Sequence, residues 1–269
     1  MINQNHLNSA REYSLEYSNN SPFPHIVLDN FFDPSYLESV LAEFPNLSGI
    51  KNKLTFNNPY EKKLAGKGES NFGPKTKELM HFLNSEPFLI FLQELTGIEE
   101  TLIGDPYFSG GGLHEIKPGG LLKLHADFNK HPKTKLDRRL NLLIYLNKDW
   151  KQEYGGDFEL WPSDLSACGK KVSPIFNRIA IFSTTDFSYH GHPDPLRCPE
   201  TMSRKSLALY YYSNGRPKSE VNSNLEEHST IFKERHNENI EYTFNFKLTD
   251  LIPPLIYKIY KVYKKGKST

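Results

Sequence analysis

Near residue 101 the sequence changes character, and this change constrains the fold more than any other feature. Before it, apolar residues recur at helical spacing, most clearly over residues 34–44. After it, short runs rich in β-branched and aromatic residues alternate with clusters of Gly, Pro, Asn and Asp. These runs are residues 119–128, 140–146, 156–161, 178–183 and 205–212. Helices followed by strands, rather than alternating with them, predict an α+β, mainly β fold in which helices pack against an antiparallel core.

The first hundred residues predict three helices and one short strand. Asp33 is placed to cap a helix, and Pro34 suits the first helical position. The predicted elements are a strand over 25–31 and helices over 34–44, 75–83 and 86–96, the last following Ser85 and ending at Gly97. The polar segments 1–20 and 49–73 lack such spacing and are predicted as a loose arm and a loop.

The composition argues against several classes of protein. Lys and Arg number 33 against 32 Asp and Glu, so the chain lacks the basic surplus typical of nucleic-acid binding. A hydrophobic fraction of 37% is sufficient for a folded core. Two cysteines, Cys168 and Cys198, cannot build a disulfide framework and are predicted to be free thiols. With ten histidines present, any bound metal is expected to have imidazole and carboxylate ligands.

The tripeptide His125-Ala126-Asp127 is the first candidate metal site. Residues two apart on a strand point to the same face, so both polar side chains can reach one ion. A further histidine from a distant strand would complete the two-histidine, one-carboxylate set that suits Fe(II) and leaves positions open for other ligands. The tripeptide alone is weak evidence for a metal site. The alternative interpretation is that His125 is an ordinary polar residue at the end of a strand.

Several later segments carry a more specific pattern. They are residues 139–150, 154–161, 177–182, 188–192 and 204–212. In these segments and in their order, the sequence resembles the prolyl-hydroxylase-like branch of the Fe(II)/2-oxoglutarate-dependent dioxygenases, over about residues 110–215. The resemblance implies a double-stranded β-helix (jelly-roll) core. Together with the helical spacing on either side, the predicted fold is this core with N-terminal helices packed on it and a C-terminal helical tail.

The resemblance implies a metal site and a place for each ligand. His125 and Asp127 match the first two iron ligands of the family, and His190 matches the third. His192 lies two residues further and is the rival, although its position just before Pro193 favours the rim of the site. His114, which follows a Gly-rich turn, is interpreted as a structural or substrate-contacting residue.

The resemblance also implies a site for the co-substrate. Arg204 matches the basic residue that holds the distal carboxylate of 2-oxoglutarate, a task suited to a planar guanidinium. Arg197 is an alternative that is interpreted as solvated or facing substrate. Tyr145 matches the tyrosine whose hydroxyl contacts the same carboxylate, and Asn141 shares its strand face. Residues 130–139 are predicted as a solvated loop near substrate.

As the resemblance implies, the activity is hydroxylation of an unactivated C–H bond with release of succinate and CO2. The implied cofactors are Fe(II), 2-oxoglutarate as co-substrate and O2, with ascorbate as a candidate reductant. Retention of Asp127 favours hydroxylation over halogenation. The substrate stays open between a prolyl residue, an amino acid and a sugar or lipid-linked intermediate. The alternatives are a catalytically idle jelly-roll binding module and a cupin-type metalloenzyme that needs no 2-oxoglutarate.

The chain is predicted to divide into residues 1–100, the core 101–216 and an extension 217–269. Within the extension, residues 255–267 have apolar and Lys residues on opposite sides of a helix. Such a helix either packs on the enzyme or contacts an anionic membrane surface. No apolar segment typical of a secretory signal is visible, so we expect a cytoplasmic protein, and peripheral membrane contact stays open as one of the two alternatives for this helix. The oligomeric state is left open.

Overall fold

The computed structural model describes residues 1–222, 226–236 and Glu238. Its helices are α1 (Gln4–Asn8), α2 (Ala10–Asn19), α3 (Pro34–Ala42), α4 (Pro74–Phe82) and α5 (Glu86–Thr96). Its strands are β1 (His25–Asp29), β2 (Lys53–Asn57), β3 (Glu61–Gly66), β4 (Gly112–Ile116), β5 (Leu121–Ala126), β6 (Asp137–Tyr145), β7 (Phe158–Trp161), β8 (Lys170–Val172), β9 (Arg178–Ser183), β10 (Tyr189–His192), β11 (Arg204–Ser213) and β12 (Ile231–Phe232). Within these described residues, no helix has the length and apolarity needed to cross a bilayer.

The strands from β4 to β11 wind between two antiparallel layers. One layer has the order β1-β9-β6-β11-β4, and the other has the order β5-β10-β7-β8. Strand β3 pairs with both β4 and β5 and so joins the layers along one side. This is the jelly-roll core that the sequence predicted. The predicted tail helix over 255–267 lies outside the described residues.

The helices cover one face of the first layer. Asp33 caps α3 as predicted, since its carboxylate accepts a hydrogen bond from the backbone N–H of Tyr36 at 2.8 Å. Gly97 ends α5 in the left-handed region, with φ of 68°. Ser85 does not act as a side-chain cap, because its hydroxyl donates instead to the carbonyl of Phe82 at 2.6 Å.

The prediction of a loose arm over residues 1–20 is wrong. This segment forms α1 and α2, and Tyr17 of α2 is fully buried with its hydroxyl 2.7 Å from the hydroxyl of Ser183 on β9. Ala10 is also buried, while Leu15 on the same helix is exposed. Contacts with α5 and β1, rather than a strong apolar periodicity, hold this helix in place.

The prediction of a loop over residues 49–73 is also wrong. Strands β2 and β3 form a hairpin in this segment, and β3 extends the sheet between β4 and β5. The local signal for these strands is weak because charged and polar residues are interspersed with the apolar ones, and most residues are half-buried or exposed. Backbone pairing with two neighbouring strands compensates for the weak local preference. The hairpin matters for function because it carries Lys63 to the wall of the central cavity.

Candidate active site

Three predicted ligand residues meet between the layers of the jelly roll. Strands β5 and β10 pair with His190 directly opposite His125, and Asp127 follows the end of β5. One nitrogen of each histidine and one carboxylate oxygen of Asp127 all lie within 4.8 Å of one another. Cross-strand pairing therefore brings together residues that are more than sixty positions apart in the sequence.

Both imidazoles are held with the same nitrogen facing the carboxylate. Nδ1 of His125 donates to the carbonyl of Lys123 at 2.8 Å, and Nδ1 of His190 donates to that of Ser188 at 2.9 Å. The two Nε2 atoms lie 3.6 and 3.4 Å from oxygens of Asp127. Burial lowers the pKa of His125, and the neighbouring His190 lowers it further. Two nitrogen lone pairs and a carboxylate thus converge on one point.

The second carboxylate oxygen of Asp127 is held by a polar network. Oδ2 accepts hydrogen bonds from Nη2 of Arg138 at 2.9 Å and from Nδ2 of Asn141 at 2.7 Å. The Asn141 carbonyl oxygen in turn accepts from Nε of Arg138 at 2.9 Å. Burial alone would favour protonation, but the charge of Arg138 holds the pKa of Asp127 well below its usual value. The carboxylate is therefore ionised and fixed in orientation.

Arg138 corrects the prediction of a solvated loop over residues 130–139. The last three of these residues begin β6, and the Arg138 side chain is 1% exposed. Its guanidinium lies 3.5 Å from the ring centre of Tyr210 and 4.3 Å from that of Phe128. Where β6 pairs with β11, the register moves from Leu140 to Arg138 in one step of the partner strand, so Arg139 forms a bulge. The bulge turns Arg138 to the same side as Asn141.

A cavity extends from the three ligand residues into the space between the layers. Apolar side chains in its wall include Ile116, Leu122, Leu143, Phe158 and Phe182, and its polar residues include Lys63, His114, His192, Arg204 and Ser206. Apolar walls combined with a set of converging polar groups are typical of a small-molecule site.

Arg204 and Tyr145, the two residues predicted to bind the distal carboxylate of the co-substrate, lie close together. Arg204 is buried, and its Nε donates to the carbonyl of Gly156 at 2.9 Å, but no acidic side chain among the described residues pairs with it. Its guanidinium carbon lies 5.1 Å from the ring centre of Tyr145, whose hydroxyl finds no hydrogen-bond partner within the described part of the chain. Burial raises the pKa of Tyr145 to about 12, although Arg204 acts in the opposite direction. The buried guanidinium of Arg204 and the adjacent Tyr145 hydroxyl therefore form a site suited to binding an anion.

The other candidates occupy different positions. His192 is not part of the three-ligand group but lines the same cavity. His114 lies on β4 in the cavity wall, and its Nε2 donates to the carbonyl of Gly110 at 3.0 Å. Burial lowers the pKa of His114 to about 3, with a smaller contribution from Lys63. Arg197 is exposed at the surface. Cys168 and Cys198 are free, as predicted.

The C-terminal extension supplies part of the site that sequence reasoning missed. Strand β12 pairs with β5 so that Phe232 lies opposite His125, with ring centres 5.7 Å apart. His228 anchors the preceding residues, since its Nε2 donates to the buried carboxylate of Asp186 at 2.9 Å. A two-residue strand of Ile and Phe gives almost no local signal. Arg138 had a detectable signal, because it lies in a charged run, residues 137–139, directly before an apolar strand.

The residues present fit a divalent iron. Two imidazole nitrogens and one carboxylate oxygen from one side are the donor set that suits Fe(II), and they leave coordination positions free on the other side. Because both Nδ1 protons are donated to carbonyls, the two Nε2 atoms present lone pairs. A cation bound between them and the carboxylate stabilises this arrangement. The unpaired Arg204 and the free Tyr145 hydroxyl fit the far end of a dicarboxylate. Fold and site together define a jelly roll with a facial metal triad.

Comparison with known families agrees with this class. Residues 111–212 match the 2OG-Fe(II) oxygenase superfamily and form a domain of that superfamily. The protein therefore carries a 2-oxoglutarate-dependent oxygenase domain, and the cofactors of this superfamily are Fe(II), 2-oxoglutarate and O2, as the sequence predicted. Comparison with curated proteins gives no match.

Solved structures share the fold. A prolyl-4-hydroxylase from Pseudomonas putida aligns with a TM-score of 0.57 at 11% identity, covering 77% of this chain and 100% of that chain. A prolyl hydroxylase from Trichoplax adhaerens, solved with a peptide of hypoxia inducible factor, has a TM-score of 0.57 at 19% identity over 78% and 91%. HygX from Streptomyces hygroscopicus, solved with nickel, 2-oxoglutarate and hygromycin B, has a TM-score of 0.51 at 13% identity over 82% and 96%.

Proposed function

We propose that this protein hydroxylates an unactivated C–H bond of a peptidyl or small-molecule substrate and converts 2-oxoglutarate to succinate and CO2. The observation that carries the proposal is the joint presence of two incomplete sites in one cavity. One is the convergent group of His125, Asp127 and His190, and the other is the unpaired Arg204 beside the Tyr145 hydroxyl.

The protein's own residues hold the metal and fix its orientation. His125 and His190 present Nε2 because their Nδ1 protons are bound to backbone carbonyls. Asp127 presents Oδ1 because Arg138 and Asn141 occupy Oδ2. When bound, Fe(II) supplies the redox chemistry by which 2-oxoglutarate and O2 yield succinate, CO2 and a hydroxylated product. Arg204 and Tyr145 bind the distal carboxylate and thereby orient the co-substrate, while the apolar wall excludes water.

Substrate reaches the metal through an opening that adjoins the triad. A second cavity shares His125, Asp127 and Tyr210 with the first, and it is further lined by Phe56, Phe128 and Thr230. Among relatives, the Trichoplax enzyme was solved with a peptide and HygX with hygromycin B. The aromatic side chains that line the second cavity suit an apolar part of a peptide or of a small-molecule substrate. Contact with a membrane through residues 255–267 and a cytoplasmic location remain part of this proposal.

The direct test is a succinate-release assay with Fe(II), 2-oxoglutarate and ascorbate against pooled peptides, amino acids and glycan precursors. Mass spectrometry follows each pool for the gain of one oxygen atom. We expect one pool to stimulate succinate formation and to contain the oxidised product. Binding of a pool component without succinate would favour an idle binding module. Product formation that needs no 2-oxoglutarate would favour a cupin-type enzyme.

Asn141 gives a prediction that separates metal orientation from co-substrate binding. Asn141→Ala removes one of the two donors to Oδ2 of Asp127, so we expect metal affinity to fall by about 10- to 100-fold, as for other residues that orient ligands. Titration of the metal-free protein with Co(II), followed by visible absorption, measures this affinity. Leu143→Ala is the matched control, because Leu143 lines the same cavity two residues further along β6. Equal Co(II) affinity in the two variants would contradict the role assigned to Asn141.

A further inference from the structure

His192 is a buried imidazole for which the proposed mechanism has no use. Its side chain is in the wall of the central cavity, and the residue is 3% exposed. Neither Nδ1 nor Nε2 has a hydrogen-bond partner among the described residues. A buried polar group without a partner is costly, so native proteins rarely keep one without a reason. The arrangement suggests that the partner of His192 is whatever occupies the cavity.

Strand pairing places His192 at the Arg204 end of the cavity. On β7, Gly191 pairs with Glu159, so the step from His190 to His192 runs towards the beginning of that strand. Just before that strand lies Gly156, whose carbonyl accepts the hydrogen bond from Arg204.

The pairing on the other side of β10 agrees. His190 lies opposite His125, whereas His192 lies opposite Leu122 near the start of β5. The turn before Leu122 leads back to Ile116, which is the register partner of Arg204. His190 therefore belongs to the metal end of the cavity and His192 to the Arg204 end.

The spacing of the two histidines matches the length of the co-substrate. Residues two apart on a strand are separated by about 6.7 Å. The distal carboxyl carbon of 2-oxoglutarate lies three carbon–carbon bonds, about 4 Å, from the keto carbon, which itself sits beside the metal. Close approach of β10 to β5 also depends on Gly191, because a Cβ there would lie 2.7 Å from the carbonyl oxygen of Leu122. Glycine between the histidines thus keeps both side chains at the cavity.

We propose that His192 is a second hydrogen-bond donor to the distal carboxylate of 2-oxoglutarate, acting beside Arg204. The inference rests on the proposed function and adds to it a residue that selects a dicarboxylate co-substrate. A 2-oxo acid of the same chain length without the distal carboxylate, such as 2-oxopentanoate, gains nothing from His192.

The test measures binding rather than turnover. Isothermal titration calorimetry of the Mn(II)-loaded protein under anaerobic conditions compares 2-oxoglutarate with 2-oxopentanoate. For His192→Phe we expect the Kd of 2-oxoglutarate to rise by about tenfold or more, because a bond to a charged group is lost. The Kd of 2-oxopentanoate should stay unchanged. His192→Gln restores a donor and should return the Kd of 2-oxoglutarate towards the wild-type value.

His114→Phe is the matched control, since His114 lines the same cavity but already donates to Gly110. Several results would overturn the inference: equal losses for both ligands in His192→Phe, no loss for either, a weaker Mn(II) affinity, or the same selective loss in His114→Phe. If the wild-type Mn(II) protein does not bind 2-oxoglutarate, the proposed function itself fails, and this outcome is distinct from the others.

Discussion

Replacing His190 with alanine is expected to reduce the conversion of 2-oxoglutarate to succinate to the level of the metal-free protein. His190 supplies one of three donor atoms that lie within 4.8 Å of one another, and no other described group of His, Cys, Asp and Glu residues offers such a set. Loss of a residue that merely orients a ligand costs about 10- to 100-fold in metal affinity or activity, so loss of a ligand should cost more. The measurements are succinate release and bound iron in the same preparation.

The choice of His190 over Asp127 has a physical reason. Asp127 is the ion-pair partner of Arg138, which is 1% exposed, so Asp127→Ala leaves an uncompensated buried cation. Such a loss destabilises a protein by about 3–5 kcal/mol. Asp127→Ala should therefore lower both activity and the free energy of unfolding, whereas His190→Ala should affect mainly activity.

Controls for these variants come from exposed residues of the same types. His81→Ala removes a histidine from the surface of α4, and Asp164→Ala removes an exposed carboxylate. Both controls should turn over 2-oxoglutarate at the wild-type rate. Iron retention and full turnover in His190→Ala would show that His190 is not a ligand.

Replacing Arg204 with alanine is expected to raise the KM for 2-oxoglutarate by about 100-fold, because hydrogen bonds to charged groups contribute about 1.5–3 kcal/mol each. Arg204 is buried without an acidic partner among the described residues, so the co-substrate carboxylate is the partner its charge requires. Iron affinity should not change, since Arg204 is not part of the metal group. Arg204→Lys keeps the charge but loses the planar pair of donors, and it should recover only part of the affinity.

The matched control is Arg197→Ala. Arg197 was the sequence-based alternative for this role, but its side chain is exposed, and its hydrogen bond to Tyr154 comes from the backbone amide, which alanine keeps. Steady-state kinetics at varied 2-oxoglutarate concentration give the KM of each variant and so distinguish Arg197→Ala from Arg204→Ala. A raised KM in Arg197→Ala together with an unchanged KM in Arg204→Ala would transfer the co-substrate role to Arg197.

The sequence determined the local part of the site. A strand alternates its side chains, so the spacing of His125-Ala126-Asp127 predicted both polar groups on one side. Asp33 followed by Pro34 specified the start of α3 in the same local way. The later segments carried a resemblance strong enough to predict the jelly roll, and the domain over residues 111–212 confirms it. These features depend on spacing within a few residues or on a pattern spread over the whole core.

Only the tertiary structure decided which distant residues meet. The bulge at Arg139 reverses the alternation that sequence spacing assumes, and it directs Arg138 to Asp127 instead of solvent. The hairpin β2–β3 joins the sheet because two neighbouring strands pair with β3, and it thereby brings Lys63 to the cavity. Phe232 reaches His125 through a two-residue strand. Local spacing fixes the face on which a side chain lies. Register and topology fix its partner, and both register and topology depend on pairing between distant strands.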